Sequence, residues 1–311
     1  MEIKKINTEK LLDLNKHPRP SNFEEFIGQE HIKGVLKTAI QSAQKRDSHM
    51  GHILFSGPSG FGKTTIAYII SKQGNIGIKA VTGYAISKPS EIVSILNSLE
   101  QGDILFIDEI HRLKPNIEEV LYIAMEDFVI DMVMPEGGSV RIPINPFTLI
   151  GATTKSESLS QPMKNRFIYN FHFMEYSPEE KKTLIKKYLI EYKIKFNDNI
   201  LSEISSKVDA VPREIHNLCI KIRDFIVSRN EKILDENIRN QFILHSKIDD
   251  GGLTPLHNKY LEILRKADRP MGVKAIAVQL GINEKAVEED VEPLLLKLDK
   301  IEKTAGGRIL I

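Results

Sequence analysis

The chain of 311 residues has no tryptophan, a single cysteine, and 43 Lys and Arg set against 42 Asp and Glu. Each scarcity excludes something. One thiol, Cys219, cannot build an internal disulfide framework and fits a reducing compartment; on a helix it reads as a small buried hydrophobe rather than a nucleophile. With its charges balanced the molecule as a whole is no polyanion binder, so any nucleic-acid site must be a local patch. No apolar run approaches the ~18 residues of a membrane span. The opening Met1-Glu-Ile-Lys-Lys5 is charged from the start, so the expected location is the cytoplasm, with no membrane partner. Length is the resource in good supply: it suggests two or three domains with cores large enough to fold without staples.

The chain is organised around His52-Ile-Leu-Phe-Ser-Gly57-Pro-Ser-Gly60-Phe-Gly62-Lys63-Thr64-Thr65. An apolar strand runs into a glycine-rich loop and then a helix starting near Gly62, which is the setting a P-loop requires. Gly57, Gly60 and Gly62 let backbone N–H groups fold around an anion at the positive end of the helix. Lys63 then reaches the β- and γ-phosphates of a bound ATP, and the Thr64 hydroxyl ligates Mg²⁺. Upstream, Arg19-Pro-Ser-Asn-Phe-Glu-Glu-Phe26-Ile27-Gly28-Gln29 leads into a helix over 29–46. This segment either wraps over the nucleotide base with Phe26 and Ile27, or packs those two residues in the ordinary core.

Downstream, Asp103-Ile-Leu-Phe-Ile-Asp108-Glu109 reads as a strand buried on both faces that delivers its carboxylates at its C-terminal edge. Such an acid pair can be mere solvated edge. Following a P-loop, it reads as a Walker B element, with Asp108 holding Mg²⁺ and Glu109 polarising the attacking water. A helix over 115–126 opens at Pro115. Residues 128–144 then read as a hairpin insertion carrying Met132, Val133 and Met134, either an interaction surface or a flap folded on its own domain. Phe147-Thr-Leu-Ile-Gly-Ala-Thr153-Thr154 supplies the next core strand, beside the acid strand, with the Thr153 hydroxyl expected near the γ-phosphate. Arg166 is expected on a solvent-facing turn. There it is a solvated charge unless a ring assembly makes it a finger on a neighbour's nucleotide.

From Ser177 the pattern turns helical, over 178–192, 198–207, 212–229 and 235–245, with Ser177 capping the first helix, Pro178 and Glu180 in its opening turn, and Arg213 beginning the third after Pro212. A helix over 89–99 is expected to be capped by Ser87 or Ser90. Residues 249–255 are a linker by composition. Helices over 256–267, 272–280 and 284–298 and a hairpin about Thr304-Ala-Gly-Gly307 then form a winged helix. Residues 251–311 carry ten Lys and Arg against nine Asp and Glu. The acidic helix from Glu284 is a poor groove reader, and Lys300, Lys303 and Arg308 on the wing are the better phosphate contacts.

Taken in order, these motifs resemble the RuvB family of bacterial Holliday-junction branch-migration ATPases, in the AAA+ class. The likeness is most specific at Arg19-Pro20 with Phe26-Ile-Gly-Gln29, at Leu105-Phe-Ile-Asp-Glu-Ile-His-Arg-Leu113, at Val120-Leu-Tyr-Ile-Ala-Met-Glu-Asp-Phe128, and at Pro146-Phe-Thr-Leu-Ile-Gly-Ala-Thr-Thr154. It implies an α/β large domain over 1–176 with a parallel sheet, a helical lid over 177–248 and a winged helix over 249–311. It implies nucleotide contacts from Arg19, Ile27, Gly60, Gly62, Lys63, Thr64, Thr65, Glu126, Asp127, Phe128, Tyr176 and Arg213, with Arg213 and Thr153 as sensors and Arg166 acting in trans. It implies a hexameric ring on duplex DNA, and hairpin 128–144 as the dock for a RuvA-like subunit, with a RuvC-like resolvase alongside. The sequence departs from the family's pattern at Ser59, Lys164, Ala210 and Lys303. A nucleotide-gated or clamp-loader-like DNA-binding switch is the competing reading to a processive motor.

Overall fold

The computed structural model describes residues 19–133, 139–207, 211–246, 253–267 and 269–311. Residues 1–18, the hairpin's Met134 and the start of the linker lie outside them. The chain forms two compact units that divide after Glu175. In chain order the first holds α1 (Glu30–Arg46), β1 (Ile53–Ser56), α2 (Lys63–Gly74), β2 (Ile78–Thr82), α3 (Pro89–Asn97), β3 (Ile104–Asp108), α4 (Pro115–Asp127), β4 (Val129–Val133), β5 (Ser139–Pro143), β6 (Thr148–Thr153), α5 (Gln161–Arg166) and β7 (Tyr169–His172).

Five of these strands pair in parallel in the order β2-β3-β6-β1-β7. Parallel strands covered by helices on both faces read as unbroken apolar runs. That is why Ile104-Leu-Phe-Ile107 is buried throughout and why every residue of β6 is buried. The order puts β6 between the strand that leads into the P-loop and the strand that carries the acids. Ser56 lies opposite Thr153, and Ile107 opposite Gly151, so all three chain segments leave the sheet at one edge. The expected neighbourhood of β3 and β6 is therefore met. The edge strand β7 was not anticipated: in Tyr169-Asn-Phe-His172 only Phe171 is buried, and so short an alternation carries no core-strand signal. Nor does Ser87 or Ser90 cap α3. The Glu91 carboxylate does so, accepting the Ser87 and Lys88 N–H groups at 2.7 and 3.3 Å.

At the opposite edge His52 ties two layers together. Its Nδ1 accepts the Leu149 N–H at 2.9 Å and its Nε2–H donates to the Met125 carbonyl at 3.0 Å, so both nitrogens are committed in the neutral form. Burial pushes its pKa down to about 4, against the pull of the Met125 carbonyl and with help from His49. The unfolded chain thus takes up this proton near pH 6.5 while the folded chain resists it down to about 4. Stability from this group is complete above pH 6.5 and is lost as pH falls through 4, a swing of about 3 kcal/mol. Urea unfolding at pH 7.5 and 4.5 is expected to show this loss, and to show less of it in His52→Gln, whose amide offers a donor and an acceptor without titrating.

The second unit begins with α6 (Pro178–Glu191), opened by the expected Ser177 cap, which closes into a capping box: Ser177 Oγ accepts the Glu180 N–H and Glu180 Oε2 accepts the Ser177 N–H. There follow β8 (Lys195–Phe196), α7 (Asp198–Lys207), α8 (Pro212–Ser228), β9 (Ile233–Leu234) and α9 (Glu236–Ser246). The β8–β9 bridge of two residues per strand corrects the expectation of helices alone. Cys219 is buried in α8 and burial pushes its thiol up to about 12, which makes it inert, as a core residue should be. The last module contains α10 (Pro255–Arg265), α11 (Val273–Leu280), α12 (Glu284–Ala286), a π-helical turn over Val287–Val291, α13 (Glu292–Lys297), and the antiparallel pair β10 (Ile301–Thr304) and β11 (Gly307–Leu310). Its core gathers Tyr260, Leu264, Ile276, Val287, Val291, Leu295 and Ile301. The expected single helix over 284–298 is interrupted because Pro293 has no N–H to donate back along the helix.

Candidate nucleotide site and wing

The loop after β1 has the backbone an anion cradle needs. Gly57, Gly60 and Gly62 have φ of 135°, 83° and 95°, left-handed values that favour glycine. At Gly62 a Cβ would also lie 2.7 Å from the Phe26 ring, so Phe26 closes tightly over the start of α2. That helix has no side-chain cap, which leaves its first N–H groups facing the loop. Lys63 is buried and its Nζ donates to the carbonyls of Gly57 and Pro58 at 2.6 and 2.8 Å. A phosphate would outcompete those neutral acceptors. Thr64 and Thr65 are half-buried in the first turn, as is Ile27 beside it in sequence to Phe26, whereas Arg19 is exposed.

Asp108 ends β3, and Glu109 turns the chain at once with a φ of 49°. Its carboxylate is not loose. Glu109 Oε2 accepts the Thr154 N–H at 3.2 Å and the Thr154 hydroxyl at 3.0 Å, and His111 Nδ1 lies 3.1 Å away. His111 Nδ1 is also 2.9 Å from Thr153 Oγ1, which accepts the Lys155 N–H at 2.9 Å. Burial lowers the His111 pKa while Glu109 pulls it upward and Arg112 and Lys155 lower it further. The expectation for Thr153 is corrected here. Thr153 is fully buried with its hydroxyl turned to His111, and Thr154 faces the Glu109 carboxylate. Successive strand residues point to opposite faces, so of two adjacent threonines only one can serve, and sequence does not say which. Sequence reasoning also passed over His111, three residues beyond Asp108.

Among the described residues no group of three or more His, Cys, Asp and Glu could hold a metal. Thr64 lies in the first turn of α2 and Asp108 ends β3; one hydroxyl and one carboxylate are a donor set that fits an ion held otherwise by phosphate and water.

Arg166, Glu126 and Phe128 occupy the other edge of the sheet. Phe128 caps α4 in the left-handed region and packs its ring on His49 and Phe147, with centroids at 4.8 and 6.0 Å, so it lies half-buried against the core of its own domain. Arg166 ends α5 just before β7, whose Tyr169 pairs with Ile53, the first residue of β1. A strand the length of β1 separates that edge from the P-loop by about 13 Å. Arg166 is not the solvated turn residue expected. Its guanidinium stacks over Tyr122 at 4.6 Å, pairs with Glu126 Oε1 at 3.1 Å and donates to the Pro162 carbonyl at 2.9 Å, while its Nε is buried with no hydrogen-bond partner among the described residues. Glu118, Tyr122 and Ser160 brace this stack with mutual contacts of 2.6 to 2.7 Å.

In the second unit Tyr176 is buried and Arg213 is exposed in the first turn of α8. On the wing, Arg308 and Lys303 are not free cations. Arg308 Nε and Lys303 Nζ reach the two oxygens of fully buried Glu292 at 2.8 and 2.6 Å, Arg308 also pairs with Glu288 at 2.9 Å, and the Tyr260 hydroxyl donates to Glu292 at 3.0 Å. Burial pushes the Glu292 carboxyl up, yet the bonds from Arg308, Lys303 and Tyr260 outweigh it and hold the group below its ordinary value. The expectation that Arg308 is simply a phosphate contact is therefore corrected: it is first a partner of a buried carboxylate. Removing one member of a buried pair costs about 3 kcal/mol. Arg308→Ala is expected to lower the stability of the winged helix by that amount in denaturant titration, whereas exposed Lys300→Ala changes it by less than about 0.5 kcal/mol.

In the hairpin, Met132 pairs with Val140 and Val133 with Ser139 in backbone register. No helix among the described residues is long and apolar enough to cross a membrane.

A five-stranded parallel sheet that offers a P-loop, an acid pair and a threonine at one edge, in a chain ending in a winged helix, defines a P-loop ATPase of the AAA+ class with a nucleic-acid-binding type of module. The chain belongs to the RuvB family. The Holliday junction DNA helicase RuvB P-loop domain matches residues 18–173 and the RuvB C-terminal winged helix domain matches residues 250–311. The Holliday junction branch migration complex subunit RuvB of Campylobacter lari is 40% identical over 99% of this chain and 93% of its own length. That of Helicobacter pylori is 40% identical over 94% and 88%. The solved Thermotoga maritima RuvB Holliday junction branch migration motor superposes with a TM-score of 0.78 at 35% identity, covering 94% of this chain and 95% of that one. The chain is thus a branch-migration ATPase of this family.

Proposed function

We propose that this ATPase works as a hexameric ring that draws duplex arms through a Holliday junction in the cytoplasm, docked through its hairpin on a RuvA-like subunit and acting ahead of a RuvC-like resolvase. The observation that carries the ring is the place of Arg166. It sits with Glu126 at the sheet edge remote from its own P-loop, where it can meet only a neighbour's nucleotide. Asp127 adjoins it in sequence and would contribute from the same side.

Within one protomer, ATP lies on the loop of Gly60 and Gly62, with Lys63 and Thr65 on its phosphates and Arg19, Ile27 and Tyr176 toward the nucleoside. Thr64 and Asp108 would hold Mg²⁺, which would supply neutralisation of phosphate charge. Glu109 takes the proton of the attacking water, Thr154 reports the γ-phosphate to that carboxylate, and Arg213 adds a second sensing charge from the lid. Lys303, with Arg308 behind it, meets DNA phosphates without reading bases; Met132, Val133 and Met134 form the docking edge of the hairpin.

A synthetic four-way junction tests the motor directly. With ATP and the RuvA-like partner the protein is expected to resolve the junction into duplexes with linear dependence on ATP turnover. Nucleotide-dependent binding without strand exchange would instead support the clamp-like switch.

A further inference from the structure

The acid that activates water is held by a histidine that no motif requirement for ATP binding explains. His111 lies in the short 3₁₀ turn Ile110–Arg112 that follows Glu109, and its side chain is nearly buried, 6% exposed against 33% for Glu109. The ring is anchored from behind. Its Nδ1 bonds to Thr153 Oγ1 at 2.9 Å, and that oxygen is fixed in turn by the Lys155 N–H at 2.9 Å at the fully buried end of β6. From this anchor the same Nδ1 stands 3.1 Å from Glu109 Oε2. A carboxylate oxygen is an acceptor only. A bare ring nitrogen there would set two lone pairs against each other, so the arrangement selects the Nδ1–H tautomer, which attracts both oxygens. On its other side the same Oε2 takes the Thr154 N–H and hydroxyl.

We infer that His111 is a positioning residue for ATP hydrolysis: anchored on Thr153, it fixes the Glu109 carboxylate against Thr154 at the end of β6, so that base and sensing strand move as one. The inference rests on the reading of Glu109 as the base. Its consequences are confined to turnover, because His111 touches neither the P-loop nor any residue expected at the nucleoside. Loss of an outer partner of this kind typically costs about tenfold to a hundredfold in activity.

The test uses the full chain with three substitutions, His111→Ala, His111→Asn and His111→Phe. An asparagine amide places a donor near the position of imidazole Nδ1; phenylalanine fills the space without a donor. His111→Ala and His111→Phe are expected to lose about tenfold to a hundredfold in kcat while KM for ATP and affinity for a fluorescent ATP analogue stay within about twofold, and His111→Asn is expected to recover most of the loss. In a background of Glu109→Gln, His111→Ala should add no further loss, since both act through one carboxylate. Wild-type kcat in His111→Ala, or equal loss in the Asn and Phe proteins together with lost nucleotide affinity, overturns the inference and leaves His111 as packing. If Glu109→Gln alone hydrolyses ATP at the wild-type rate, the reading of the base has failed instead. If Glu109→Gln is inert and His111→Ala is normal, only the inference has.

Discussion

Arg166→Ala protein is expected to bind ATP as tightly as the wild type and to hydrolyse it about 10³–10⁵ times more slowly, the worth of an arginine finger supplied from a neighbouring subunit. Binding is spared because Lys63 and the loop of Gly57 to Gly62 lie at the far edge of the sheet from Arg166. The loss is large because a guanidinium stacked on Tyr122 at 4.6 Å and paired with Glu126 at 3.1 Å is already held in a fixed direction. Little ordering entropy is then left to spend when the neighbour's phosphate arrives. Lysine is not expected to substitute, since its point charge neither stacks on Tyr122 nor forks between Glu126 and the Pro162 carbonyl. Mixing Arg166→Ala with Lys63→Ala subunits puts an intact finger beside an intact cradle at about a quarter of the interfaces of a randomly mixed ring, so part of the activity should return. If mixed rings form and no ratio restores hydrolysis, Arg166 does not act in trans.

The parts of this site that could be read in advance are those whose chemistry is local in sequence. Gly57, Gly60, Gly62 and Lys63 share one turn, and their spacing alone dictates a cradle. Ile104 to Glu109 is one strand and its end, and an apolar run followed by acids dictates where the acids emerge. What could not be read depends on distance or on direction. Thr153 and Thr154 are adjacent, and which of them meets Glu109 is fixed by the pleat and twist of β6 between β3 and β1. Arg308 looks like any wing arginine until Glu292, sixteen residues earlier and just past a π-helical turn, is seen to claim it. Phe128 follows two acids in a family motif, yet the left-handed cap of α4 lays its ring half-buried against His49 and Phe147. The edge strand β7 pairs only on one side, with β1, and so needs no apolar run to exist.

Glu109→Gln is expected to leave the fold and ATP binding intact while lowering hydrolysis by about 10²–10⁴, the usual contribution of a positioned general base. The substitution is nearly isosteric, and a glutamine carbonyl can still accept the Thr154 N–H and hydroxyl that Oε2 accepts now at 3.2 and 3.0 Å. The turn at Glu109 is a backbone feature, with a φ of 49° and the Arg112 N–H closing on the Glu109 carbonyl at 2.9 Å, so it does not depend on the side chain's charge. What an amide cannot do is take the proton of the attacking water. The variant should therefore hold ATP without turning it over, and filter binding and single-turnover kinetics on the same preparation separate the two properties. Unaltered thermal unfolding with hydrolysis near zero is the expected pair of results. Near-wild-type turnover would remove Glu109 as the base, and a loss of ATP affinity as large as the loss of rate would show that the carboxylate serves the cradle rather than the water.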